Sequence, residues 1–362
     1  VASTHFVSFF LGLEILSVSL YVLIAYQRSS ERCIEGGIKY LILAAASSAF
    51  LLFGMALTYA DLGTMDVARM SLLMSGKAPS TLLLSGLAMI IVGVGFKLAV
   101  VPFHMWTPDV YEGAPAPVTA FIATVSKGGM FALLMRYFSG LGLHDSGSLS
   151  LLFAIIAIAS MLAGNVLALL QTNVKRILAY SSIAHLGYLL VAFLASGSIG
   201  TAAVTYYLVA YFVTMLGALG VISVLSVEKR EADAMIDYQG LFWKRPWLAV
   251  VFAATLLSLA GIPLTAGFIG KFYIIAAAVG STLWWLVFIL VVSSGIGLFY
   301  YLRIIVAMYK DPPRGVQVTV PSLSLTDTVA LATLTLLLVW LGVYPAPLIH
   351  TVQWSVASLS KH

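Results

Sequence analysis

Charge is what this 362-residue chain has least of: Asp, Glu, Lys and Arg together make up only 9% of it. Soluble domains carry about 25% charged residues. With 61% apolar residues, 12% aromatics and a mean hydropathy of +1.04, the composition excludes a water-soluble globule. Cysteine occurs once, at Cys33, which excludes an intrachain disulfide. There is no P-loop, no GxGxxG after a strand, no CxxC and no HExxH, and the six histidines show no metal-ligand spacing. Neither covalent catalysis nor a cofactor or metal site is therefore expected within the chain. The formal charge of +5 is dispersed rather than gathered into a run, so no nucleic-acid partner is expected.

What is present instead is a succession of apolar stretches, each long enough to cross a hydrocarbon layer of about 30 Å with about 20 helical residues. They predict an all-α polytopic membrane protein whose immediate partner is the lipid bilayer. Ten spans are expected, at roughly 3–27, 37–60, 80–104, 116–138, 148–171, 175–195, 201–227, 246–276, 280–309 and 324–343. The chain opens on Val1 and enters a full span without the basic segment or cleavage site of a signal peptide. Upstream helices missing from this chain are the expected explanation.

Against this background, Lys97, Lys127 and Lys271 stand inside the apolar runs GVGFKLAVVPF, IATVSKGGMFALL and TAGFIGKFYIIAA. A lysine at mid-membrane costs roughly 2.5 to 3.5 kcal/mol on insertion scales, so by default it marks a function. A lysine near a helix end can instead reach the headgroups along its stem, but three of them at such depth weigh against that explanation. Glu14 and Lys39 add opposite charges on the first two spans, and the pair is expected to associate, which lowers the cost of burial. Lysine suits a proton relay because desolvation favours its neutral form, whereas arginine keeps its charge. His185, near Ser181, Ser182 and Tyr188 on neighbouring turns, is placed to relay protons between its two ring nitrogens. A satisfied core histidine fits the same pattern. Thr124, Ser126 and Tyr180 are candidates to hold a water chain, or simply to pack helices.

Two spans carry helix breakers beside their lysines: Pro102 follows Lys97, and Gly261, Pro263, Gly267 and Gly270 precede Lys271. Proline removes a backbone donor and opens the helix, leaving carbonyls that need a cavity or water. The broken spans are five apart, and an odd offset inverts the second copy. That pattern predicts inverted five-helix repeats around an ion pathway. The expected units are 1–140, the remainder of a first repeat; 146–310, the second repeat; and 320–362, a C-terminal helix and tail.

Counting loops alternately, one side collects Arg28, Arg32, Lys175, Arg176, Lys229, Arg230, Lys244, Arg245, Lys310 and Arg314. The other side has Arg69, Lys77, Arg136 and Lys361. The bias puts the first group in the cytoplasm and both termini outside. The segment 228–246, mixed in charge, is expected to be solvated or to meet a neighbouring subunit.

The stretches VPFHMWTPDVYEGAPAPVTAFIATVSK, LAYSSIAHLGYLL and LSLAGIPLTAGFIGKFY resemble the antiporter-like subunits of proton-translocating NADH:quinone oxidoreductase, respiratory complex I, and within them the subunit N group. The resemblance covers essentially the whole chain and corresponds to the fifth to fourteenth of that group's fourteen helices. It implies that Glu14 gates the charge of Lys97, that Lys127 links two half-channels, that Lys271 communicates with the outer side, and that Lys39 belongs to the same line. It further implies a bacterial inner membrane location, and partners that include antiporter-like subunit M and small K- and J-type subunits. NADH, FMN, iron–sulfur clusters and quinone would be handled by partner subunits. A freestanding monovalent cation/proton antiporter is the alternative from another class, and a structural spacer is a third.

Overall fold

A computed structural model describes residues 3–74, 80–140, 147–195, 197–226, 231–311 and 323–359. Among these residues the secondary structure is helical, with isolated bridges pairing His5 with Asp66 and Asn173 with Ala234. The membrane explains this choice: backbone groups in hydrocarbon have no water to bond, and a helix satisfies them within one segment. The helices are α1 (Phe6–Ile24), α2 (Glu31–Leu62), α3 (Val67–Met74), α4 (Thr81–Leu98), α5 (Trp106–Gly113), α6 (Ala116–Phe121), α7 (Lys127–Gly140) and α8 (Gly147–Leu169). They continue with α9 (Val174–Leu194), α10 (Gly197–Leu225), α11 (Leu241–Lys244), α12 (Pro246–Ala260), α13 (Ala266–Gly280), α14 (Trp284–Tyr309), α15 (Leu325–Val343) and α16 (Ala346–Leu359). A π-helical turn at Ile122–Ser126 joins α6 to α7.

Nine helical stretches are long and apolar enough to cross a membrane among the described residues, and α12 and α13 are the shorter apolar pair. The expected span 246–276 is thus two half-helices. Gly261, at φ +85°, ends the first, and the Thr265 hydroxyl accepts from the Phe268 amide to start the second. The expected span 80–104 also differs in extent. Its helix stops at Leu98, four residues before Pro102, with Ala99 in the left-handed region, and the chain then forms the separate short helix α5. Proline explains the interruption, since the residue before it is pushed out of helical geometry.

One helix is surrounded by the others. In α9, 89% of the best apolar window is buried inside the protein, against 28% in α1 and 22% in α15. Close approach to α8 makes this possible. A Cβ at Gly164 would lie 2.7 Å from the Ala184 amide nitrogen, so only glycine fits there. The central helix is also where the polar residues Ser181, Ser182, His185 and Tyr188 occur.

Candidate functional site: a buried lysine line on a central helix

Lys97 occupies the last turn of α4 and is 4% exposed. Its ammonium donates to Ser17 Oγ on α1 at 2.6 Å and lies 5.5 Å from the Tyr40 ring centroid. The helix end also helps, because the negative end of the α4 dipole favours a cation there. Glu14, one turn before Ser17, accepts a hydrogen bond from Ser48 Oγ at 2.5 Å, and its charge acts on Lys97.

Lys127 begins α7 directly after the π-helical turn and is 1% exposed. Single-turn π segments inside α-helices concentrate at functional sites. The Lys127 ammonium donates to Ser182 Oγ on α9 at 2.6 Å and sits 5.3 Å from the Tyr111 ring centroid. Tyr211 donates to the same serine oxygen at 2.7 Å.

His185 is one turn further along α9. Its Nδ1 is 2.8 Å from the Tyr207 hydroxyl and its Nε2 is 3.2 Å from the Tyr301 hydroxyl. A neutral imidazole donates from one nitrogen and accepts at the other. The two phenols therefore take opposite roles, and a change of tautomer reverses both. Tyr301 also shares a short hydrogen bond with Ser181.

Another turn on, the Tyr188 ring centroid lies 5.2 Å from the Lys271 ammonium. Lys271 donates to the carbonyls of Leu259 and Ala260 at 2.9 and 2.8 Å and to Ser294 Oγ at 2.8 Å. Those carbonyls are the ones freed where α12 breaks. Ser182, His185 and Tyr188 thus form a ladder with one residue per helical turn, between Lys127 at one end and Lys271 at the other.

The remaining expected residues fall elsewhere. Lys39 does not pair with Glu14; it bonds Glu35 at 2.6 Å and Asp109 at 2.7 Å, with its side chain 42% exposed. The reason is position, because Lys39 stands in the polar-end turns of α2, where carboxylates are nearer than the membrane interior. Thr124 donates to the Ala120 carbonyl within its own helix at 2.6 Å. Pro102 and Pro263 both lie in breaks, as their residue type predicts.

Lys39 belongs to an ionic cluster that the sequence did not reveal as one unit. Arg176 bonds Asp109 and Glu112 at 2.8 Å each, Arg32 bonds Glu112 and Asp233 at 3.3 Å each, and Asn173 donates to Asp233 at 2.7 Å. Burial pushes the Asp109 carboxyl up, but hydrogen bonds from Lys39 and Arg176 outweigh it and hold the group below the usual carboxylate range. Lys175, fully buried, forms a very short ion pair with Glu231 and donates to the carbonyls of Glu112 and Ala114. The 228–246 segment, expected to be solvated or to meet a neighbouring subunit, keeps Ile236, Trp243 and Lys244 exposed among its described residues, but the first acidic ones among them turn inward. Glu231 and Asp233 are pinned to α2, α6 and the start of α9, because burying Lys175 requires a counter-charge. Lys229 and Arg230 lie outside the described residues, as do Lys77, Arg314 and Lys361.

The family model for NADH:quinone oxidoreductase/Mrp antiporter transmembrane proteins matches residues 3–297. The chain belongs to this family. It is 56% identical to NADH-quinone oxidoreductase subunit N of Nitrosospira multiformis, over 99% of this chain and 75% of that protein. It is 50% identical to the subunit N of Ectopseudomonas mendocina, over 97% of this chain and 72% of the relative. Among solved structures, it superposes on a chain of respiratory complex I from Thermus thermophilus with a TM-score of 0.83 at 32% identity, covering 96% of this chain and 75% of that one. The resemblance to complex I antiporter-like subunits, and within them to subunit N, is thereby established for the chain as a family member.

Proposed function

We propose that this chain is a proton-translocating membrane-arm subunit of NADH:quinone oxidoreductase, in which protons pass along Glu14, Lys97, Lys127, His185 and Lys271. One observation carries the reading. Three buried lysines are hydrogen-bonded to hydroxyl and carbonyl oxygens rather than clamped in ion pairs, and Ser182, His185 and Tyr188 of α9 stand between two of them. A lysine held by neutral oxygens can give up its proton without breaking an ion pair, whereas Lys175 is locked to Glu231. The energy comes from quinone reduction elsewhere in the complex, with flavin and iron–sulfur chemistry in partner subunits.

In this reading, Glu14 gates Lys97 electrostatically, through the Ser17 and Ser48 hydroxyls of α1 and α2, and Lys271 serves the far side. Lys97 and Lys271 each sit at the carbonyl end of a broken helix, which supports two inverted units, 1–140 and 146–310, with 320–362 as an appended helix and tail. The ionic cluster around Arg32, Asp109 and Arg176 faces the cytoplasm of a bacterial inner membrane, and both ends of the chain face outward. Subunit M and small K- and J-type subunits are its expected neighbours.

The test is NADH-driven proton pumping in sealed vesicles, scored with electron transfer in the assembled complex. Lys97→Ala and Glu14→Gln are expected to lower pumping on the order of tenfold or more, the scale of a lost relay group. Assembled variants that pump at the wild-type rate would overturn the reading.

A further inference from the structure

Asn165 is a polar residue near the C-terminal end of α8, 1% exposed, and it touches none of the lysines of the line. Its amide is fully committed. Nδ2 shares its two N–H groups among Ser293 Oγ at 2.6 Å, the Met161 carbonyl at 2.8 Å and Tyr188 Oη at 3.1 Å, and Oδ1 accepts from Tyr300 Oη at 2.9 Å. Tyr188 and Ser293 also bond one another at 3.1 Å. One side chain therefore ties α8 to both α9 and α14.

What it ties is the wall around Lys271. Tyr188 presents its ring to the Lys271 ammonium, and Ser293 precedes Ser294, the hydroxyl to which that ammonium donates. The tie also extends the other way. Tyr300 packs on Tyr301 with ring centroids 4.4 Å apart, and Tyr301 is the phenol at His185 Nε2. The tie tolerates little shift: a Cβ at Gly297, one turn past Ser293, would lie 3.0 Å from Asn165 Oδ1. Buried polar networks of this kind, with every member satisfied, hold a single arrangement.

We infer that Asn165 is a positioning residue for the second half of the proton line, setting the separation between His185 and Lys271 by fixing Tyr188, Ser293 and Tyr300. The inference rests on the reading of Lys271 as a relay group. Asn165 itself carries no proton, since an amide neither gains nor loses one near neutral pH.

The experiment uses the whole membrane complex in sealed vesicles and compares Asn165→Leu with Ser293→Ala, Tyr300→Phe and Lys271→Ala. Leucine keeps the branched shape and removes the hydrogen bonds. Assembly is read from the flavin and iron–sulfur content of the purified complex, and pumping is followed with NADH across pH. Asn165→Leu is expected to assemble and to pump on the order of tenfold more slowly, within what a misplacement of about 1 Å costs. Its pH profile is expected to be displaced from the wild type, which a purely packing role would not produce. Ser293→Ala and Tyr300→Phe should displace the profile in the same sense by less. Wild-type pumping and pH profile in Asn165→Leu, alongside loss in Lys271→Ala, would overturn this inference alone. Normal pumping in Lys271→Ala would overturn the reading of Lys271 and this inference with it. If Asn165→Leu does not assemble, wild-type profiles in both single-bond variants overturn the inference and displaced ones support it.

Discussion

Lys127 and Tyr211 converge on one oxygen: the ammonium donates to Ser182 Oγ at 2.6 Å and the phenol donates to it at 2.7 Å. A hydroxyl oxygen has two lone pairs, so these two bonds occupy it. Tyr111 lies beneath the same ammonium and reaches Ser182 at 3.3 Å. Lys127 is thus caged by an oxygen and aromatic rings, with its charge balanced by no carboxylate in that cage. A cation held in this way can lose its proton and leave its neighbours bonded.

The Ser182 oxygen is accordingly expected to matter more than its size suggests. Ser182→Ala removes a hydrogen bond to a charged group, worth about 1.5 to 3 kcal/mol, and strands the Tyr211 hydroxyl. Pumping should fall roughly tenfold for each 1.4 kcal/mol lost from the relay. Vesicle acidification per NADH oxidised, in complexes matched for flavin content, checks this. Ser182→Thr, which restores the hydroxyl, should recover part of the loss.

At the polar end, the buried Lys175–Glu231 pair is predicted to be structural. Removing one member of such a pair costs about 3 to 5 kcal/mol, because the other is left buried and unpaired. Lys175→Met and Glu231→Gln should both lower the yield and thermal stability of the complex. The double variant should lose less than the sum of the two. Midpoints of thermal unfolding in detergent provide the comparison.

Asp109 gives a pH dependence whose sign can be worked out. Its carboxyl is held below the usual range in the folded protein, so the folded state binds the proton less readily than the unfolded chain. The stabilisation is present above the ordinary carboxyl pKa and disappears as pH falls through the lower, folded-state value. Asp109→Asn should therefore lower the thermal midpoint at neutral pH, and the difference from wild type should shrink progressively on acidification below about pH 4. A difference that stays constant with pH would assign the effect of Asp109 to packing instead.

What was legible in the sequence was whatever the bilayer imposes on each segment separately. Length and apolarity give the spans, and the positions of Lys97, Lys127 and Lys271 stand out because a charge in such a segment is costly. The breaks at Pro102 and Pro263 follow from proline chemistry, and the turn-by-turn placement of Ser182, His185 and Tyr188 follows from helical spacing alone. Tertiary structure decided the partners. Lys127 meets Ser182 across 55 positions and Lys97 meets Ser17 across 80, and no local pattern encodes either contact. In lipid, apolar residues surround a helix on every side, so there is little amphipathic signal to show which face turns inward. For that reason Glu14 and Lys39, adjacent spans of opposite charge, looked like partners, while packing brought Asp109 to Lys39 and Ser48 to Glu14. For the same reason Asn165 was invisible: an asparagine in an apolar run acquires its meaning only when α9 and α14 bring Tyr188, Ser293 and Tyr300 within hydrogen-bonding distance.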